Sequence, residues 1–190
     1  AMERPKTIHD FGGFLRTLYE VKYPAPGNPQ LAQEISKMSF KTSIGLNNDW
    51  GLDHGAWSVI KHLYPEADVP VVQLSLDVNK TPQQHFELAQ ELIKLRDKGV
   101  LIVGSGNLVH NLRLVDWQNF DTPDFAYDWA REAQLKINKL ILVGDYSSLI
   151  NYKQIGKEIE KAIPTPEHYL PMLYSLALRH KNEEVSLFND

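Results

Sequence analysis

The chain contains no cysteine, which excludes disulfides and thiol chemistry and leaves nitrogen and oxygen donors to build any metal site. That absence also suits a cytoplasmic protein. No apolar run approaches the roughly 18 residues of a membrane-spanning helix, and no secretory signal is read in the sequence. Basic residues are not in excess: 20 Lys and Arg stand against 24 Asp and Glu, for a net charge of −4. That balance argues against nucleic acid or an anionic membrane as partner. Internal repeats and low-complexity segments are lacking too. What remains is a chain of 190 residues, 43% hydrophobic, long enough to bury a sizeable core and too apolar to be a disordered tail.

Along the chain, helix-like and strand-like patterns alternate. Residues 14–19 and 29–38 read as short helices, the second following a Pro/Gly turn. Residues 43–46 form a weak strand candidate and residues 70–76 a strong one. Over 82–98, Phe86, Leu88, Ala89, Leu92, Ile93 and Leu95 recur at helical spacing, and the apolar run 100–103 between glycines follows as a fully buried strand. Strand, helix and strand in that order imply a right-handed parallel crossover. Residues 124–140 and 152–163 read as further helices, separated by an exposed loop at 144–148. The predicted fold is α/β: a mixed, largely parallel sheet covered by helices on both faces, in a single domain over residues 1–190.

Three histidine segments carry the chemistry. The run 100–103 exits through Gly104-Ser105-Gly106-Asn107-Leu108-Val109-His110-Asn111, where the glycines supply backbone freedom at a strand end, the place where open α/β sheets collect ligands. His110 is read there either as a pocket residue or as a plain cap of a backbone group. In Pro164-Thr165-Pro166-Glu167-His168, Thr165 suits an N-cap, Pro166 a first helical position and Glu167 the positive helix end. His168 would then sit in the first turn, where the helix dipole favours the neutral imidazole that a metal ligand requires, unless Pro171 marks the effective helix start. A partly exposed first-turn residue is the plain alternative. Third, Trp50-Gly51-Leu52-Asp53-His54-Gly55-Ala56-Trp57 reads as a tight loop whose tryptophans could wall an aromatic ligand, or as a hydrophobic corner. His62 is read as a surface residue, and His85 and His180 lie in polar surroundings and receive no role.

These segments, with Thr7-Ile8-His9-Asp10-Phe11-Gly12-Gly13-Phe14, Tyr23-Pro24-Ala25-Pro26-Gly27 and Val72-Gln73-Leu74-Ser75-Leu76-Asp77, occur in an order that resembles the class III extradiol ring-cleaving dioxygenases. This is the superfamily of the protocatechuate 4,5-dioxygenase catalytic subunit, and the similarity is strongest to its DOPA 4,5-dioxygenase branch. Two upstream histidine motifs of that branch are absent from the sequence, and residues 184–190 stop before its usual closing strand. The chain is therefore expected to be an internal piece, with its sheet incomplete at the N-terminus and inactive alone.

The resemblance implies a non-haem, iron-dependent dioxygenase that cleaves the aromatic ring of a catechol such as DOPA with dioxygen, Fe(II) serving activity and Zn(II) able to occupy a purified sample. It makes His168 a metal-site histidine and His110 either a further metal ligand or the acid/base beside the metal. His54 becomes a catalytic pocket histidine that hydrogen-bonds substrate or oxygen. Asn107, expected near substrate, and Asn111 would orient His110, with exposed turn amides as the alternative; His9 is read as structural. The competing reading is a zinc-binding, non-redox protein or hydrolase on the same scaffold. A homo-oligomer is compatible with either.

Overall fold

Helices account for most of the regular structure, and several begin where the sequence supplies a cap. The structure, a computed structural model, describes residues 1–38, 41–119 and 121–188. The chain divides into two compact units, Ala1–Ser75 and Leu76–Asp190.

The first unit holds α1 (Arg16–Tyr19), α2 (Pro29–Met38) and α3 (His54–Leu63). The Asp53 carboxylate accepts the Ala56 N–H and caps α3, so His54 opens a helix rather than lying in the predicted loop. Tyr23, Ala25, Leu52, Trp57 and Ile60 form the core, with Phe11, Val21 and Val71 packed against it. Polar tips inside this core are satisfied: the Trp57 indole N–H donates to the Ile8 carbonyl at 2.8 Å and the Tyr23 hydroxyl to that of Tyr64 at 2.8 Å.

The second unit holds α4 (Pro82–Glu91), α5 (Asp128–Val143), α6 (Tyr146–Ile150), α7 (Lys157–Ala162) and α8 (Leu170–Ala177). A reciprocal capping box between Thr81 and Gln84 starts α4, which packs its Phe86, Leu88 and Ala89 face against α8. The helical pattern read to residue 98 tightens into a 3-10 segment at Ile93–Lys98 and ends at Gly99, whose φ of 77° is left-handed. In α5, the buried residues Ala133, Ile137 and Ile141 recur every fourth position, one stripe that meets α6 and α7. The loop predicted at 144–148 is instead a C-cap glycine followed by α6, because Asp145 accepts the Ser148 N–H and hydroxyl and nucleates a new helix.

Among the described residues no β-ladder forms. The strand-like pairings are two isolated parallel bridges, Thr7 with Leu52 and Gly27 with Val71. Of the three predicted strands, residues 43–46 form none, 70–76 contributes Val71 alone, and 100–103 is unpaired with Leu101 64% and Val103 44% exposed. A helix satisfies its amides within its own segment, whereas a strand needs a second extended segment alongside, which an apolar run does not itself select. No helix among the described residues is long and apolar enough to cross a membrane.

Candidate active site

Residues 104–111 are laced to residues 161–171 by main-chain contacts. The Asn107 N–H donates to the His168 carbonyl at 2.9 Å and the His110 N–H to the Ala162 carbonyl at 2.8 Å. The Asn111 side-chain amide donates to the Lys161 carbonyl at 2.7 Å. Such close approach requires glycine. A Cβ on Gly106 would overlap the His168 carbonyl oxygen, and one on Gly104 the Pro171 carbonyl oxygen and, at 2.7 Å, the Ser175 hydroxyl. Neither glycine occupies the left-handed region, so the predicted reason for them, backbone freedom at a strand exit, gives way to a steric one.

This lacing brings His110 and His168 together, 58 residues apart in sequence, with ring centroids 3.5 Å apart and planes 23° from parallel. Glu167 joins them: each of the three offers one donor atom, all within 4.8 Å of one another. Two imidazoles and a carboxylate suit ferrous iron or zinc, so the residues present fit the metal that the sequence reading expects. Burial pushes the Glu167 carboxyl up, but the Thr165 hydroxyl, donating at 2.6 Å, and the neighbouring imidazoles outweigh it and hold the pKa below its ordinary value. An ionised carboxylate is the form that binds a cation. The sequence reading gave Glu167 only a helix-end role, although its place beside His168 between two prolines was a visible signal.

Local structure around His168 differs from expectation. Thr165 does not cap α8; residues 167–169 form a turn, and the helix begins at Leu170 with Pro171 in its first positions. Proline there loses no intrahelical hydrogen bond. His168 is therefore held just ahead of the helix by the turn and by its carbonyl bond to Asn107. Both asparagines act on backbone rather than on the His110 ring. Asn107 Oδ1 accepts the Val109 N–H at 3.2 Å and shapes the turn that carries His110.

In the first unit, one Asp10 carboxylate oxygen accepts both the His54 backbone N–H at 3.0 Å and its ring Nδ1–H at 2.9 Å. Burial pushes the Asp10 carboxyl up, but these two bonds and the imidazole charge outweigh it and lower the pKa. His54 keeps 44% of its side chain exposed. His9 is structural, its Nε2–H donating to the Val21 carbonyl at 2.9 Å. His62 is exposed as read.

His85 corrects the sequence reading. It is 1% exposed, its Nε2–H donating to the Asp77 carbonyl at 3.1 Å and its Nδ1 accepting the Tyr174 hydroxyl at 2.9 Å. Its polar neighbours in sequence lie on the outer face of α4, whereas His85 shares the inner face with Phe86 and Ala89. Burial, outweighing the nearby Asp77 carbonyl and charge, lowers its pKa.

The family described as the catalytic LigB subunit of aromatic ring-opening dioxygenase matches residues 1–182. A 4,5-DOPA dioxygenase extradiol of Escherichia coli K12 is 44% identical over 98% of this chain and 69% of its own length. One of Beta vulgaris is 35% identical over 97% of this chain and 68% of its own length. A crystal structure of an uncharacterized E. coli K12 protein, 39% identical, superposes with a TM-score of 0.74 over 92% of this chain and 70% of that one, which supports an α/β dioxygenase fold. On these matches the chain belongs to the extradiol ring-cleaving dioxygenases of the LigB family, in their DOPA dioxygenase branch.

Proposed function

We propose that this protein uses Fe(II) to cleave the ring of a catechol such as DOPA, with His110, Glu167 and His168 at the metal. The observation that carries this reading is the stacked His110–His168 pair with the Glu167 carboxylate in reach. When bound, the iron would hold catechol and dioxygen together and supply the redox chemistry that the side chains lack. The protein's part is orientation and proton transfer. His168, fixed by its own main chain, and the Glu167 carboxylate serve as ligands. His110 serves as a further ligand or takes the proton from a catechol hydroxyl, either role suiting an imidazole. His54, whose ring Nδ1–H is held by Asp10, keeps the role of a histidine that hydrogen-bonds substrate or oxygen as the family resemblance implies. The protein is read as a cytoplasmic enzyme acting on small molecules, residues 1–190 belonging to its catalytic domain.

The test is oxygen uptake. Protein loaded anaerobically with Fe(II) and given DOPA should consume oxygen and form a yellow ring-opened product, and His168→Ala should abolish both. Stoichiometric metal binding with no uptake would overturn this reading in favour of a zinc-holding, non-redox protein.

A further inference from the structure

We infer that Thr165 is a positioning residue for the metal centre: its hydroxyl holds the Glu167 carboxylate beside His110 and His168 so that one oxygen is engaged and the other is left to the metal. The inference rests on the reading of Glu167 as a ligand and names the group that orients it. By sequence Thr165 is suited to cap a helix, and the fold does not use it so. A capping hydroxyl accepts a backbone N–H, whereas α8 begins only at Leu170 and the Thr165 hydroxyl donates, at 2.6 Å, to Glu167 Oε1. A hydroxyl carries a single proton, so that donation commits it. The length is that of a charge-assisted O–H···O⁻ bond.

The backbone around this pair is already set. Pro166 stands between the two residues with its φ fixed by the ring, and its carbonyl accepts the N–H groups of Tyr169 and Leu170, each at 2.9 Å. What the turn leaves free is the Glu167 side chain, which is long and exposed and would sample many directions in water. The Thr165 bond removes that freedom at the carboxylate end. There a carboxylate oxygen lies within 4.8 Å of a ring nitrogen of His110 and of His168.

A carboxylate can grip a cation with one oxygen or with both. With Oε1 accepting the hydroxyl, it becomes the weaker donor, and Oε2 keeps both lone pairs. Glu167 then takes a single coordination position, which leaves others open to a catecholate and dioxygen. The Thr165–Glu167 bond is also solvent-exposed, and exposed contacts contribute little to folding. Its loss should therefore be felt in metal binding and not in stability, which separates a positioning role from a structural one.

Zn(II) and Co(II) titrations of the intact protein test this, with metal binding read apart from oxygen uptake so that failure of the dioxygenase reading and failure of the inference are distinguished. Thr165→Val, which keeps the shape and removes the hydroxyl, should lower Zn(II) affinity by about 10–100-fold and alter the Co(II) visible bands, with the urea midpoint of the metal-free protein unchanged. Thr165→Ser, which keeps the donor, should restore affinity and spectrum. Glu167→Gln should lose at least as much affinity, and adding Thr165→Val to it should cost nothing further. Wild-type affinity in Glu167→Gln would refute the ligand reading of Glu167 and the inference with it. Affinity lost in Glu167→Gln but kept in Thr165→Val, with an unchanged Co(II) spectrum, would overturn the inference alone. So would a lowered metal-free midpoint in Thr165→Val that serine does not rescue, since Thr165 would then be scaffold only. Thr165→Ala, read in the same way, keeps the test decisive if valine disturbs the turn between the prolines.

Discussion

Replacing Gly106 with alanine probes how the two site histidines are brought together. Gly106 does not occupy the left-handed region, so alanine brings no backbone strain and gains about 0.4–1 kcal/mol from a less flexible unfolded chain. Against that, the new methyl would overlap the His168 carbonyl oxygen and sit 3.1 Å from its carbonyl carbon. Main chain cannot swing aside as a side chain can. Overpacking of this kind costs about 1–3 kcal/mol. The forced separation also breaks the 2.9 Å bond from the Asn107 N–H to the same oxygen, a further 0.5–1.5 kcal/mol or so. The net expectation is a destabilisation of about 0.5–4 kcal/mol in urea unfolding, with zinc affinity reduced at least about tenfold because His168 is pushed from His110. Gly45, with nothing within 4 Å of a built Cβ, is the control, and Gly45→Ala should change stability by no more than about 0.5 kcal/mol. Wild-type stability and zinc affinity in Gly106→Ala would refute the claim that glycine is there for close approach.

Tyr174→Phe removes the hydroxyl that donates to His85 Nδ1 and leaves a buried ring nitrogen unpaired, so urea unfolding should show a loss of about 1–3 kcal/mol; an unchanged midpoint would mean that water reaches the ring. Because His85 has a lowered pKa in the fold, the unfolded chain binds a proton that the folded one refuses once pH falls below about 6.5. Stability should therefore be full above that pH and decline on acidification toward pH 5, and His85→Gln should flatten this segment of the profile. Leu101→Lys places a charge where the side chain is 64% exposed and should cost within about 0.5 kcal/mol; a loss of about 2–5 kcal/mol, the cost of disrupting a buried leucine, would show that residues 100–103 are covered.

The helices were legible because their information is local. Residues 29–38 form α2 with the bounds that the pattern gives, and Phe86, Leu88, Ala89, Leu92 and Leu95, picked out by spacing, are buried. The site was partly legible for a related reason: a glycine turn, a proline-rich turn and a histidine in each are recognisable residue by residue, and the fold brings those two turns together. Sequence spacing could not supply the partners. Periodicity distinguishes the core face of an element from its solvent face, but it does not say which carbonyl will press on Gly106 or which carboxylate will reach a given imidazole. The Asp10–His54 pair spans 44 residues, and His85 meets Tyr174 across 89; in neither case does the window around one partner point to the other. The unpaired run 100–103 follows the same logic from the other side. Its composition makes it ready to be a strand, yet strand formation is a property of two segments, so the predicted strands, the least local elements of the fold, are the ones that the described residues do not form.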